Sequence, residues 1–160
     1  MSVPTVWLVL LGVATALDGL LAGASIDQSI KQLPARHRIG MRAYSAYSKA
    51  SDLANGRFLY PALGVGGAAL TIASASWALT LHLPTSHLAP VLVAGVLSVA
   101  HSITTARAAP INWSQRTVDD NEAALALIFL RFARWQAARA VLQVATFLVM
   151  VWALALNAGG

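Results

Sequence analysis

A chain of 160 residues that is 58% hydrophobic and only 11% charged, with a mean hydropathy of +0.65, is too apolar for a soluble globule and long enough for one domain. It reads as a single integral membrane domain over residues 1–160. The net charge of +5 would suit nucleic acid, but every basic residue lies where membrane topology puts it; the absence of cysteine excludes disulfides, thiolate metal sites and thiol nucleophiles.

The first apolar stretch, about 5–26, has the roughly 20 residues a helix needs to cross a hydrocarbon core. Ala22-Gly23-Ala24 has the form of a signal-peptide cleavage site, yet no basic residue precedes the run and Asp18 interrupts it, so a retained helix is expected. Thr15, Asp18, Ser25 and Ser29 share one helical face, while Gly12, Gly19 and Gly23 share a side suited to close packing. The basic connection that follows, 27–58, exceeds the usual helix-to-helix length, which predicts structure of its own. Pro34 is expected to stop the preceding segment. Beyond it, Ile39, Ala43, Ala46, Ala50 and Leu53 line one face of a helix that either lies on the membrane surface or extends the second span inward, with Gly56 at the join.

The second span, about 59–81, is rich in small residues (ALGVGGAALTIASAS), and the loop HLPTSHLAP leads to the third, about 88–108. There Ser98, His101, Thr104 and Thr105 share a face. Pro110 is expected to end this helix, and Asp119, Asp120 or Asn121 to cap another that starts near Glu122 and runs into the fourth span, about 134–156. Trp135, Gln136, Arg139, Gln143 and Thr146 then fall within an arc of about 100°. That arc has to face protein or water, because an arginine turned toward lipid costs about 2.5 kcal/mol or more.

The expected architecture is all-α: a bundle of four transmembrane helices, arranged as two out-in-out hairpins with helical cytoplasmic connections. All eleven Lys and Arg residues lie in or around the connections 27–58 and 107–134, Arg139 furthest into a span. The positive-inside rule places both connections in the cytoplasm and both termini outside, at the cell membrane. Trp7, Trp77 and Trp152 then fall at the outer interface and Tyr60, Trp113 and Trp135 at the inner one. Anionic headgroups at the cytoplasmic face are the expected partner of the basic residues, and nucleic acid is not. Assembly as a homo-oligomer or as a subunit of a larger membrane complex stays open.

Counting from the cytoplasmic ends puts Asp18, His101 and Arg139 in the same inner half of the bilayer. One reading is structural: Asp18 and Arg139 form a buried ion pair, and His101 bonds a hydroxyl. The other is a pocket opening toward the inner leaflet, since ionisable groups inside a membrane are functional candidates by default. In that pocket His101 is the general acid or base, Arg139 suits a phenolate, enolate or carboxylate, Trp135 stacks on an aromatic ligand, and Asp18 orients the imidazole or pairs with Arg139. No metal is expected: His82 and His87 sit on the outer loop, away from His37 and His101, and none has ligand spacing along a helix.

The segments AAPINW, RFARWQAARAVLQVATFLVMVWAL and LLAGASIDQSIKQLPARHRIGMRAYSAYSKASDLANG resemble the four-helix membrane proteins that include the anthrone oxygenases of aromatic polyketide biosynthesis. Pro110, Asn112, Arg134, Trp135 and Arg139 are the most family-like positions. The resemblance implies a compact membrane bundle and, for some members, oxidation of an anthrone to an anthraquinone by molecular oxygen without an established cofactor. Some members carry a histidine between the Trp and Arg of helix four, where this chain has Gln136, Ala137 and Ala138. An oxygenase of this kind would then use His101 as base, Arg139 with Gln143 to hold the oxyanion, and Trp135, Gln136, Thr105 and Asn112 as further contacts to a lipophilic aromatic substrate. The alternative is a non-catalytic subunit or small-molecule-binding protein of a larger membrane complex; a small transporter ranks third, because no span is clearly broken at its middle.

Overall fold

A computed structural model describes residues 3–159. Six α-helices follow in order: α1 Thr5–Asp27, α2 Leu33–Ile39, α3 Met41–Ala50, α4 Gly56–Ala78, α5 Thr85–Trp113 and α6 Glu122–Ala158. Among the described residues there is no strand. A π-helical turn, Gln28–Gln32, joins α1 to α2, and a second, Ser51–Asn55, joins α3 to α4. The result is four long rods, Thr5–Ile39, Met41–Ala78, Thr85–Arg116 and Glu122–Ala158, each long and apolar enough to cross a membrane. The fold is the expected four-helix bundle.

The first two rods are separated only by Gly40, whose φ of 86° is a conformation that favours glycine. Of the two expectations for the first connection, extension of the second span is therefore the one realised. Each rod outruns its span at the end carrying the basic residues, so the connections are helical because the helices continue. Both connections meet there: Arg42 Nε donates to the Asp120 carbonyl at 3.0 Å, and Arg116 Nη2 to the Leu53 carbonyl at 2.6 Å.

Three local expectations are corrected. Pro34 does not stop its segment; it falls directly after a π-helical turn, where the ladder changes register and one missing N–H is least costly. Pro110 does not end its helix either: α5 continues to Trp113 and passes into a 3₁₀ turn, Ser114–Arg116, with the Pro110 carbonyl accepting from Ser114 N–H. On α3 the buried face is not the apolar one. Tyr44, Ser45 and Ser48 are buried, and Asp52 in the π-helical turn that follows; of the expected face Leu53 is buried, whereas Ile39, Ala43, Ala46 and Ala50 are exposed. The cap of the last helix is as expected: α6 begins at Glu122, and Asn121 Oδ1 accepts from Ala124 N–H at 3.1 Å.

Around the bundle α1 packs on α4 and α6, and α5 packs on α4 and α6, closing a ring of antiparallel neighbours. Two apolar clusters fill it. The one far from the basic end comprises Trp7, Leu11, Ala14, Ala75, Ala78, Val91, Ala94, Met150 and Ala153. Trp7 is thus no interfacial anchor; fully buried, it donates from Nε1 to the Ser74 carbonyl at 3.0 Å, which satisfies its one polar atom inside the bundle. The other cluster, at the basic end, gathers Leu33, Tyr44, Ala108, Leu125, Phe129 and Phe132, with the Tyr44 ring edge-on to Phe129 at 4.8 Å. Of the glycines expected to form a seam on α1, only Gly19 packs closely, against Phe147; a methyl group on Gly12 or Gly23 would meet nothing within 4 Å.

Candidate functional site

Between the two apolar clusters lies a polar layer, and in it a cavity of about 540 Å³, within the 300–1,000 Å³ or so typical of small-molecule sites. Its back wall is polar: Ser25 and Gln28 from the end of α1, His101 from α5, and Arg139 and Gln143 from α6. Its mouth is the cleft between α4 and α5, since the exposed lining residues Tyr60, Pro61 and Val65 belong to one and Ala106 and Trp113 to the other.

The two π-helical turns shape the end of the cavity nearest the basic connections. By shifting the hydrogen-bond register they turn Gln28 and Asp52 toward each other, and Gln28 Nε2 donates to Asp52 Oδ2 at 3.3 Å. The other end of the same amide accepts from Arg139 Nη2 at 2.9 Å. One glutamine therefore bridges a guanidinium and a carboxylate that do not touch. Asp52 is held further by Ser48 Oγ at 3.1 Å and Ser51 Oγ at 3.3 Å. Burial raises its proton affinity above that of an ordinary carboxylate, opposed by these hydrogen bonds and by the Arg139 charge. Ser48 also accepts from Gln115 Nε2 at 3.2 Å, and Gln115 in turn donates to Asn112 Oδ1 at 2.9 Å, so the network continues to α5.

Of the residues singled out in the sequence, His101, Arg139, Gln143, Thr105 and Asn112 line the cavity together. His101 is 2% exposed; its Nε2 lies 3.3 Å from Ser98 Oγ, and Nδ1 has no partner. Arg139 Nε is likewise buried and unpartnered. Gln143 accepts from Ser25 Oγ through Oε1. Thr105 faces the cavity with its hydroxyl bonded to the carbonyl of His101 at 2.9 Å.

Asp18, Trp135 and Gln136 are not among the lining residues. Asp18 accepts from Thr71 Oγ1 on α4 at 2.7 Å, and a Cβ on Gly67 would lie 3.0 Å from its Oδ1, so the carboxyl group is wedged against α4. The ion pair with Arg139 is absent: among the described residues the carboxylate–cation pairs are Asp27 with Lys31 and Glu122 with Arg42, both away from the cavity. Trp135 is 39% exposed on the outside of α6. Gln136 is fully buried but ties α6 to α1, donating to the Ser25 carbonyl and Ser29 Oγ, each at 3.3 Å. A 100° arc is wide enough to straddle a helix contact, and here its edges reach the outside of the bundle and α1 while its centre reaches the cavity.

Gln28, Asp52 and Tyr60 escaped the sequence reading. Asp52 carried a signal: it is the one acidic residue between Asp27 and Asp119, in the most basic part of the chain. Gln28 carried none, because its position depends on a π-helical turn that periodicity does not announce. Among the described residues no group of three or more His, Asp or Glu side chains converges. What the arrangement offers chemically is a guanidinium uncommitted to any carboxylate, a buried imidazole with a free ring nitrogen and the amides of Gln28, Asn112 and Gln143, with Asp52 and Arg57 at the basic end and apolar side chains over much of the rest. No family model, curated protein or solved structure matches the chain.

Proposed function

We propose that the cavity takes a lipophilic aromatic of anthrone or quinone type from the inner leaflet of the cell membrane, and that the protein oxidises the anthrone form with molecular oxygen. The observation that carries the binding part is the juxtaposition of uncommitted Arg139 and singly bonded His101 in an apolar chamber opening sideways. The activity follows from the likeness of AAPINW and RFARWQAARAVLQ to the anthrone oxygenases, and the orientation from the charge distribution.

His101 takes the carbon-bound proton of the anthrone, leaving an anion whose oxygen Arg139 and Gln143 hold. Oxygen adds at the carbanionic carbon and is reduced to a peroxide, which recovers the proton from the imidazolium. Loss of water from that hydroperoxide breaks the O–O bond and forms the second carbonyl. Anthrone and O₂ thus give anthraquinone and water, with no proton left over. Tyr60, Trp113 and Phe132, which line the cavity, supply the aromatic contacts in place of Trp135.

The test is oxygen uptake with anthrone by the protein in nanodiscs, against empty nanodiscs. Uptake above that background, lowered about 100-fold or more by His101→Ala, is the expected result. Uptake equal to empty nanodiscs sinks the enzyme reading. One observation favours a binding role without turnover: no carboxylate orients the His101 ring, because Asp18 is engaged with Thr71. Saturable tryptophan quenching by anthrone with no oxygen uptake would be its signature.

A further inference from the structure

The mouth of the cavity begins at the basic ends of two spans, where Tyr60 and Trp113 line it, and reaches from there along α4 into the hydrocarbon stretch. Val65 on α4, 70% exposed, and Ala106 on α5 are lips that sit within the stretches 59–81 and 88–108. A ligand part that leaves beside Val65 meets hydrocarbon, whereas the end of the mouth at Tyr60 and Trp113 opens at the headgroup interface. Gln28, Arg139 and Gln143 face the mouth across the chamber and buried His101 keeps Nδ1 free, while Asp52, Arg57, Tyr60 and Asn112 line the end toward the basic connections. A polar edge seats against the back wall, and whatever trails past Gly64, Val65, Ala106 and Ala109 meets only apolar side chains.

The lips are also open. Gly64 lines the cavity, and a Cβ built on it would meet nothing within 4 Å; Ala106 and Ala109 on the facing helix are no bulkier than a methyl group. Nearer the far apolar cluster the same two helices touch, and a Cβ on Gly95 would come 2.9 Å from the Cβ of Ala75. The pair thus closes on one side and leaves a slot on the other.

We infer that the ligand is an aromatic lipid: a ring head seated against Arg139 and His101, and a hydrocarbon chain leaving through the slot between α4 and α5 to remain in the bilayer. This rests on the proposed aromatic site and names the class of molecule it takes. The slot does not attract the chain, since lipid is as apolar as Ala and Gly. It permits a chain that a closed chamber would reject.

The experiment compares a dimethoxy-benzoquinone bearing a decyl chain with its methyl analogue, each at a set mole fraction in nanodiscs, by quenching of tryptophan fluorescence. A Trp113→Phe control assigns the signal to the mouth. Wild type should bind both probes with similar affinity. Gly64→Leu, whose Cβ enters open space at the slot, should weaken the decyl probe about tenfold or more and weaken the methyl probe far less. Tighter binding of the methyl probe to wild type by tenfold or more would overturn the inference, as would a Gly64→Leu effect that is equal on both probes or absent. In those cases anthrone-driven oxygen uptake still stands or falls separately. If neither probe binds and anthrone gives no uptake, the site reading itself fails as well.

Discussion

Arg139 would be expected to seek a carboxylate, and Asp52 is near enough to supply one, yet Gln28 stands between them. A direct pair would neutralise the guanidinium; the amide satisfies one N–H and leaves the charge available to a ligand. Two substitutions separate these effects. Gln28→Leu strips a partner from both Arg139 and Asp52 and should cost about 1–3 kcal/mol in detergent unfolding. Gln28→Glu gives Arg139 its carboxylate but sets that carboxylate against Asp52 in place of a donor, so it too should lower stability, while quenching by an acidic aromatic such as a naphthoate weakens tenfold or more. An unchanged affinity in Gln28→Glu would mean that Arg139 does not meet the ligand. Asp18 belongs to a different contact altogether. Because it bonds Thr71 and shares no partner with Arg139, the effects of Asp18→Asn and Arg139→Gln on stability should add within about 0.5 kcal/mol. A double variant as stable as the better single one would restore the ion pair.

At the level of elements, the glycines discriminate contact from pattern. Gly95 faces Ala75, whose Cβ is fixed to the α4 backbone and cannot swing aside. Gly95→Ala should therefore push α4 and α5 apart at a cost of about 1–3 kcal/mol. Gly23 faces open space, so Gly23→Ala should be neutral or should stabilise α1 by up to about 1 kcal/mol. Thermal unfolding of the two variants in one detergent checks both; equal losses would place the seam on α1 instead. This contrast bears on what the sequence makes legible. The four spans, the Asn121 cap and the inward-facing centre of the α6 arc follow from hydropathy and helical periodicity, which act within one element. What periodicity misread depends on a neighbour. Pro34 looks like a breaker but follows a π-helical turn where the ladder has changed register, Pro110 is carried inside α5 one turn before its end, and the polar side of α3 is buried because Gln115 is there to bond it. Trp7 reads as an anchor until the Ser74 carbonyl is found beside its indole.

For the molecule as a whole, the proposed chemistry requires the end that holds Asp52, Arg139 and the slot to face the inner leaflet. The helices alone are symmetric in this respect, since all four are long enough to cross either way. Charge breaks the symmetry: the eleven Lys and Arg residues gather at one end and none lies in HLPTSHLAP. Translocating either basic connection would carry about five or six positive charges through the membrane, which short loops resist. The absence of native cysteine makes the test direct, because any introduced thiol is the one labelled. Thr85, at the exposed start of α5, and Ile39, half exposed beside the Gly40 turn, lie at opposite ends of the bundle. In intact cells a membrane-impermeant maleimide should label Thr85→Cys and spare Ile39→Cys until the membrane is permeabilised. The reverse pattern would turn the slot toward the outer leaflet and oblige the ligand to come from there. Labelling of both sites in intact cells would indicate dual insertion, which a charge difference this large opposes.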